Sequence, residues 1–559
     1  MAVSDEVTGL GSDAGKRPID LRRQCIPRPQ GFDATDMLAY EHPLEDPAYA
    51  EIWFYTDRLS YRAGDTVQIH ASGTVDRFVL DFALDGARPR RLDTIDGLSA
   101  PLTRLRAGFI ESGCDWPVIH LWRIPPATPS GFVIVTARAV DAFGVPRVQE
   151  HGFFIRPAAV GQRHRSLLIG ATSTWLAYND WGGANHYHGD KVPDGMRFAP
   201  RLSIHRPWAR GLIWLPEGAP RNPHEHEVPP GAIPRYPPIE FAFARGFTKW
   251  YANAGWATYE RLFAVWAERN AYQLDYACQH DLHADPALLE GYGCLVLVGH
   301  DEYWTWEMRE AVDRFVERGG NVLRCAGNFF WQIRLEDGGR TQVCYKSDAH
   351  THDPLAGTHR ARRVTSNWED PAVGWPGAST FGLNASYGMY AHVGSQVPRS
   401  AGGFTVYRPD HWALAGTDLY YGDVLGARAR VFGYEVDGLD YTFRDGLPYP
   451  TFRDGAPETT EIVAMGVAFN KEVMKGRRGE ASYYHDTTPH FARLRYGSDT
   501  PDDRDRAARG SGMIVTFTRG AGTVFHAGSC EWVAGLKLRD QATEQVTRNV
   551  LDRFTSAGP

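Results

Sequence analysis

Cys294-Leu295-Val296-Leu297-Val298-Gly299-His300-Asp301-Glu302-Tyr303-Trp304 is the stretch on which the fold turns. Its apolar opening, Cys294 to Val298, has the length of a strand buried on both faces, and the polar side chains His300 to Tyr303 follow at the exit. Downstream, Met308, Ala311, Val312, Phe315 and Val316 recur at helical spacing until Gly319-Gly320 stop the helix. Val322-Leu323 then begin a second apolar run, which ends in Cys325-Ala326-Gly327-Asn328-Phe329-Phe330-Trp331. The pattern predicts a β-α-β unit with both polar clusters at carboxyl ends of strands, where open α/β sheets bind ligands. The plainer reading is that His300, Asp301 and Glu302 cap the helix, since acidic residues suit its first turn.

Outward from this unit, Ser166-Leu167-Leu168-Ile169-Gly170 reads as another buried strand, followed by the polar and aromatic segment Thr174-Trp175-Leu176-Ala177-Tyr178-Asn179-Asp180-Trp181-Gly182-Gly183, then Asn185 and Tyr187. A helix is expected around Tyr259 to Arg269 and a strand at Gln273 to Tyr276. Near the end, Met513 to Phe517 and Thr523 to His526 flank the turn Arg519-Gly520-Ala521-Gly522, a hairpin that brings Glu531-Trp532 to a strand terminus before a last helix through Val546, Val550, Leu551 and Phe554. Upstream the period changes. Val67, Ile69 and Ala71 alternate, as do Val133, Val135, Ala137 and Ala139, with turn signals between such runs. Short alternating strands predict an immunoglobulin-like β-sandwich, whose expected work is packing, oligomerisation or shaping a cleft. The expected division is an extended arm over 1–45, the sandwich over 46–157 and an α/β catalytic domain over 158–559, with no internal repeat.

Composition bounds the function. With 559 residues, two or three domains are expected. Lys+Arg of 60 against Asp+Glu of 67 gives a net charge of −7, and no basic block stands out, which argues against nucleic acid or an anionic membrane as partner. Met1 to Lys16 is polar with no apolar core, so no secretory signal is read there, and no run is long enough to span a bilayer; a cytoplasmic protein is expected. The 7 cysteines are scattered without a C-x-x-C pair, which predicts reduced thiols rather than disulfides or a structural zinc site.

Polar clusters that could carry chemistry are His300/Asp301/Glu302/Tyr303; Asn328 with Arg334; Cys344-Tyr345-Lys346; and Tyr434-Glu435-Val436-Asp437 together with Glu531. The pairs His186/His188, His224/His226 and His350/His352 raise a metal site, but they stand in loop-like text where solvated histidines are the default. No G-x-S-x-G, P-loop or G-x-G-x-x-G occupies a suitable strand–helix junction, which disfavours a serine hydrolase, an NTPase and a Rossmann enzyme.

Taken together, Thr174-Trp175, Tyr178-Asn179, Gly182-Gly183, Gly299-His300-Asp301-Glu302-Tyr303-Trp304, Gly319-Gly320-Asn321, Gly327-Asn328, Cys344-Tyr345-Lys346 and Gly433-Tyr434-Glu435 resemble, in this order, the carboxy-terminal catalytic region of the N,N-dimethylformamidase large (beta) subunit family. The resemblance runs from about Ser166 onward. It implies an amidohydrolase with a glutamine-amidotransferase- or flavodoxin-like core, holding one ferric ion by two tyrosines and one glutamate. By motif position those ligands fall on Tyr303, Tyr345 and Glu435. It also implies a small-molecule amide substrate, with N-substituted formamides among the candidates, and a homo-oligomer to which a small subunit could be added.

Residue chemistry agrees with such a site. Ferric iron favours hard oxygen donors, and its charge can deprotonate a phenol whose free pKa is about 10. Three protein oxygens leave coordination positions for water and a carbonyl. Glu531, beside Trp532 at a strand end, is the expected general base and His300 the next, with Asn328 and Lys471 as donors to a developing oxyanion. The bland readings are a salt bridge for Glu531, capping for His300, a turn for Asn328, a surface charge for Lys471 and bonded buried hydroxyls for the tyrosines. Two rival functions remain: a metal-independent cysteine amidase using Cys325, and a non-catalytic carbohydrate- or peptide-binding protein.

Overall fold

Five parallel strands form one half of the central sheet: Ser166–Gly170, Leu274–Cys278, Cys294–His300, Asn321–Gly327 and Gly522–His526. They belong to the computed structural model of the chain, which describes residues 23–26, 38–141, 143–157, 161, 165–189, 192, 196–222, 237–391, 402–471 and 486–556. Numbered in chain order, these strands lie side by side as 2-1-3-4-5, the flavodoxin-type order, in which ligands bind beyond the carboxyl ends where the order reverses. Ser166–Gly170, Leu274–Cys278 and Cys294–His300 are buried throughout, as continuous apolar runs require when helices cover both faces.

Past Gly522–His526 the sheet turns antiparallel through Arg509–Arg519, Glu461–Phe469, Asn384–Ala391 and Tyr434–Gly438, within an assembly of eleven strands. The sequence reading foresaw the hairpin but not this extension, because the added strands lie far apart in the chain and carry no turn signal linking them. A bridge between Val436 and Ser529 brings Tyr434–Gly438 beside the carboxyl end of the fifth parallel strand. Gly327 permits that approach: a Cβ there would lie 2.7 Å from the Glu435 carbonyl oxygen. The molecule is mixed α/β with strands predominating.

Residues 52–156 form two sheets. One joins Ile52–Thr56, Thr66–Gly73 and Val118–Arg123; the other runs Ser60–Arg62, Pro146–Arg156, Gly131–Val140, Phe78–Leu84 and Arg90–Leu98. Val67, Ile69, Ala71, Val133, Val135 and Ala137 point into a core shared by the two sheets, the face that the alternation assigned to them. Of the expected arm, Arg23–Ile26 and Leu38–Glu41 pair antiparallel, and the rest of 1–37 lies outside the described residues. The second sheet packs on the α/β layer through Phe132, whose ring stacks 4.2 Å from Trp256, and through Phe154 against Trp175. Among the described residues no helix is long and apolar enough to cross a membrane.

Candidate functional site

The helix after Cys294–His300 starts later than the capping reading requires. Thr305 is its N-cap, its Oγ1 accepting the Met308 N–H at 3.2 Å, and the helix spans Trp306–Glu317. His300, Asp301 and Glu302 are therefore free for other work. Asp301 turns into the sheet, where it pairs with the buried Arg324 and accepts from Gln279 Nε2 at 2.9 Å and Trp304 Nε1 at 2.8 Å. Glu302 lines a pocket of about 540 Å³ at the carboxyl ends of the parallel strands, and His300 stands behind it, Nε2 against the Glu302 carboxylate.

Two tyrosines from the first strand's exit meet Glu302 there. The short helix Thr172–Tyr178 is wholly buried and ends with Tyr178 at the pocket. The chain then folds back, because Asn185 donates to the Tyr178 carbonyl at 3.2 Å while its own carbonyl accepts the N–H of Tyr187 at 2.8 Å. This one side chain sets the two phenols side by side, 2.7 Å apart at their hydroxyls. Glu302 closes the triangle: Tyr178 OH lies 3.0 Å from Oε2, and Tyr187 OH lies 2.9 Å from Oε1. Thr174 Oγ1 fixes the Glu302 backbone by accepting its N–H at 3.0 Å.

A second polar group adjoins the triangle. His300 Nδ1 is held by the Asn253 carbonyl at 2.7 Å and lies 2.8 Å from Tyr434 OH; Nε2 is 2.9 Å from Glu435 Oε2 and 3.2 Å from Glu302 Oε2. Asn328 Nδ2 donates to Glu435 Oε2 at 2.9 Å, and Asn328 Oδ1 is buried without a protein partner. Lys346 places its ammonium 3.4 Å from the centre of the Tyr187 ring. Asn328 and Lys346 both hold left-handed backbone, at φ 59° and 54°. Such conformations cost non-glycine residues on the order of 1–2 kcal/mol and are met disproportionately at functional sites.

Burial dominates the electrostatics. It drives the phenols of Tyr178, Tyr187 and Tyr303 well above their usual range, and the Glu302 carboxylate pushes each further. Burial also opposes the charge on His300, but Glu435 and Glu302 outweigh it and raise the imidazole to about 10. Lys346 is pulled down to about 8 by burial, against Glu302. Burial would raise Glu302; its bond to His300 reverses this and holds it below the ordinary carboxylate range.

The structure brings together Glu435, His300 and Asn328 from the expected set, and leaves Tyr345, Lys471 and Glu531 outside this pocket. Tyr303 stands one layer behind, its hydroxyl bonded to Tyr187 OH at 2.9 Å. Tyr345 is half-buried beyond the pocket lining, and the charged groups that act on it are Arg201, Asp353, Arg334 and Glu336. Glu531 is buried at the N-cap of Trp532–Lys537 and paired with Arg221 at 2.8 Å. Lys471 is exposed and lies 3.6 Å from Asp486, a residue of the pocket rim. Sequence reasoning did not assign Tyr178, Tyr187, Glu302 or Lys346 a role, although each stood in a segment it singled out. The usable signal was that Tyr178 and Glu302 follow adjacent parallel strands and so share one edge of the sheet.

The other candidates have ordinary surroundings. Cys325 is fully buried among apolar side chains, its thiol driven well above the normal range, which does not suit a nucleophile. His186 Nδ1 donates to the Ala199 carbonyl at 2.7 Å, His350 pairs with Asp370, and His224 and His226 lie outside the described residues. His300, Glu435 and Cys530 offer ligand atoms within 4.8 Å of one another, a second grouping of which Glu435 alone lines the pocket.

A family model described as N,N-dimethylformamidase beta subunit-like, C-terminal, matches residues 85–547. Two curated proteins align with about half of the chain. The N,N-dimethylformamidase beta subunit of Paracoccus aminophilus is 24% identical over 317 residues, and that of an Alcaligenes species is 23% identical over 324. In each case the alignment covers 53% of this chain and 36% of the relative.

Proposed function

This chain belongs to the N,N-dimethylformamidase beta subunit-like family, and from that premise we propose that it hydrolyses the C–N bond of an amide in the pocket between Tyr178, Glu302 and Glu435. The observation that carries the reading is the convergence of two phenol oxygens and one carboxylate, all within 3.0 Å of a neighbour, in a buried pocket at the switch point of the sheet.

Ferric iron suits this triangle better than Tyr303, Tyr345 and Glu435. The donors are hard oxygens, and the phenols, unfavourable to ionise beside Glu302, gain what they lack from an adjacent cation. The grouping with Cys530 is less apt, since a thiol is a soft donor where the triangle offers three hard oxygens. When bound, the ion supplies Lewis acidity toward the amide carbonyl and toward water.

The chain's own residues supply the rest. Glu435, exposed to the pocket and not engaged by the phenols, takes the proton of the attacking water. His300 stays an imidazolium and holds the Glu435 carboxylate ready. Asn328 and Lys346, which both line the pocket, donate to the oxygen that gains charge as water adds. The proton collected by Glu435 leaves on the amine as the C–N bond breaks, so that a carboxylic acid and an amine result, the acid then giving up its remaining proton to solvent. In this reading residues 158–559 form a glutamine-amidotransferase-like catalytic unit, 46–157 an immunoglobulin-like support, and a partner subunit joins the assembly, as the relatives' designation as beta subunits favours.

Iron content, the visible phenolate-to-iron absorption and amide turnover test the assignment together. Tyr178→Phe and Tyr187→Phe each lose all three while folding, because only the donor oxygen is removed. Tyr345→Phe keeps iron and colour. Colourless Tyr345→Phe protein beside iron-replete Tyr178→Phe protein returns the ligands to the set that motif position gives.

A further inference from the structure

Resting on the hydrolytic reading, we infer that the amide taken at this site carries an aryl- or arylalkyl-sized group. The cavity of about 540 Å³ falls in the range of roughly 300–1,000 Å³ that holds drug-sized ligands. A formamide bearing only methyl groups leaves most of it to water. The polar groups that the chemistry needs, Glu302, Asn328, Glu435 and Lys346, form one part of the lining, and Trp250, Phe330, Trp331, Met389 and Phe491 also face the space.

These rings form two walls. Trp250 packs against both phenol rings, tilted to Tyr187 at 5.3 Å and edge-on to Tyr178 at 5.5 Å. Phe330 meets Trp331 edge-on at 4.6 Å and Phe491 at 6.1 Å with the rings at 89°. His490 also packs on Phe330, Trp331 and Phe491, and where these rings line the cavity they present apolar surface to which a further aromatic group can pack at offset or T-shaped geometry. The walls come from separate chain segments, 250, 330–331 and 491, so their convergence is a property of the fold. An apolar group distant from the scissile bond gains affinity here, and that binding is available to position the carbonyl.

The test compares kcat/KM of the iron-loaded protein for N,N-dimethylformamide, N-benzylformamide and N-methylphenylacetamide, with calorimetric titration of the two aryl compounds. At least one aryl amide exceeds dimethylformamide in kcat/KM by about 10–100-fold, the usual return for burying a ring-sized apolar group. Which of them does so assigns the wall to the amine or the acyl side. Trp250→Ala and Phe491→Ala each weaken binding of that compound about tenfold or more, the first at a half-buried position where folding is least at risk. Dimethylformamide turned over as well as both aryl amides, or aryl binding that is absent or indifferent to both variants, overturns the inference. Aryl binding that Trp250→Ala weakens, with no amide turned over, upholds it and sinks the hydrolase reading instead.

Discussion

Glu435 and Glu531 are buried acids on neighbouring strands of backbone: the Glu435 carbonyl accepts the Cys530 N–H at 3.0 Å, and the Gly433 carbonyl accepts that of Glu531 at 2.9 Å. Their side chains diverge. Glu435 meets Asn328 at the pocket and His300 behind it, whereas Glu531 meets Arg221 beneath the ring of Tyr259. The two isosteric variants should therefore fail differently. Glu435→Gln keeps iron but loses on the order of 10²–10⁴ in kcat, the share of a general base. Glu531→Gln keeps kcat within a few fold and loses stability, about 3–5 kcal/mol if the buried guanidinium is left without its counter-charge. Turnover and thermal melts of both proteins decide the matter; a kcat collapse confined to Glu531→Gln would reverse the roles. The sequence put Glu531 at a strand terminus and singled out Glu435 by motif; the structure holds Glu435 within the strand Tyr434–Gly438 and Glu531 beyond Gly522–His526. The sequence could not say which one finds an arginine, because Arg221 lies 310 residues from Glu531 in the chain.

At the level of elements, the site depends on the short helix Thr172–Tyr178, which is too brief to persist alone. Glu260, at the start of Glu260–Arg269, anchors it by accepting the Ala171 N–H at 2.9 Å and the Trp175 indole N–H at 3.0 Å. Burial raises this carboxyl to about 7. A folded-state pKa above the unfolded value of about 4.3 means that the native protein binds the extra proton, so this group's stabilisation is complete below the unfolded value and is lost as pH rises through about 7. Glu260→Gln has no such titration. The difference in melting temperature, variant minus wild type, should rise between about pH 4.5 and 7 and level off above, corresponding to on the order of 3 kcal/mol. A difference that is flat or falls with pH would show that Glu260 is already ionised in the fold. The strand Ser166–Gly170 before this helix was legible from its apolar run, and so were Trp306–Glu317 and the hairpin around Gly520. The seven-residue helix was not, since every one of its residues is buried and no amphipathic period survives.

Across the whole molecule, the two N-terminal sheets act on the site through packing. Phe132 stacks on Trp256 at 4.2 Å, meets Trp175 edge-on at 5.9 Å and touches Phe154 at 4.8 Å, which ties the sheet Gly131–Val140 to the helix that ends in Tyr178. The Glu41 carbonyl accepts the Gly182 N–H at 2.8 Å, in the loop between the two phenols. Alternation revealed those sheets from sequence, but the aromatic seam between them and the α/β layer is a three-dimensional match of rings from distant segments. Phe132→Ala should open a cavity in that seam and cost about 3–5 kcal/mol. If the seam couples the parts, one cooperative transition moves down as a whole, and iron is retained less well because the phenol pair loses its support. With iron held as proposed, added iron then recovers part of the lost melting temperature in proportion to the logarithm of its concentration, as a ligand of the native state alone does. Scanning calorimetry with and without iron reads both effects. Two separate transitions, with only the lower one shifted and iron content unchanged, would show instead that the N-terminal sheets melt on their own and leave the site intact.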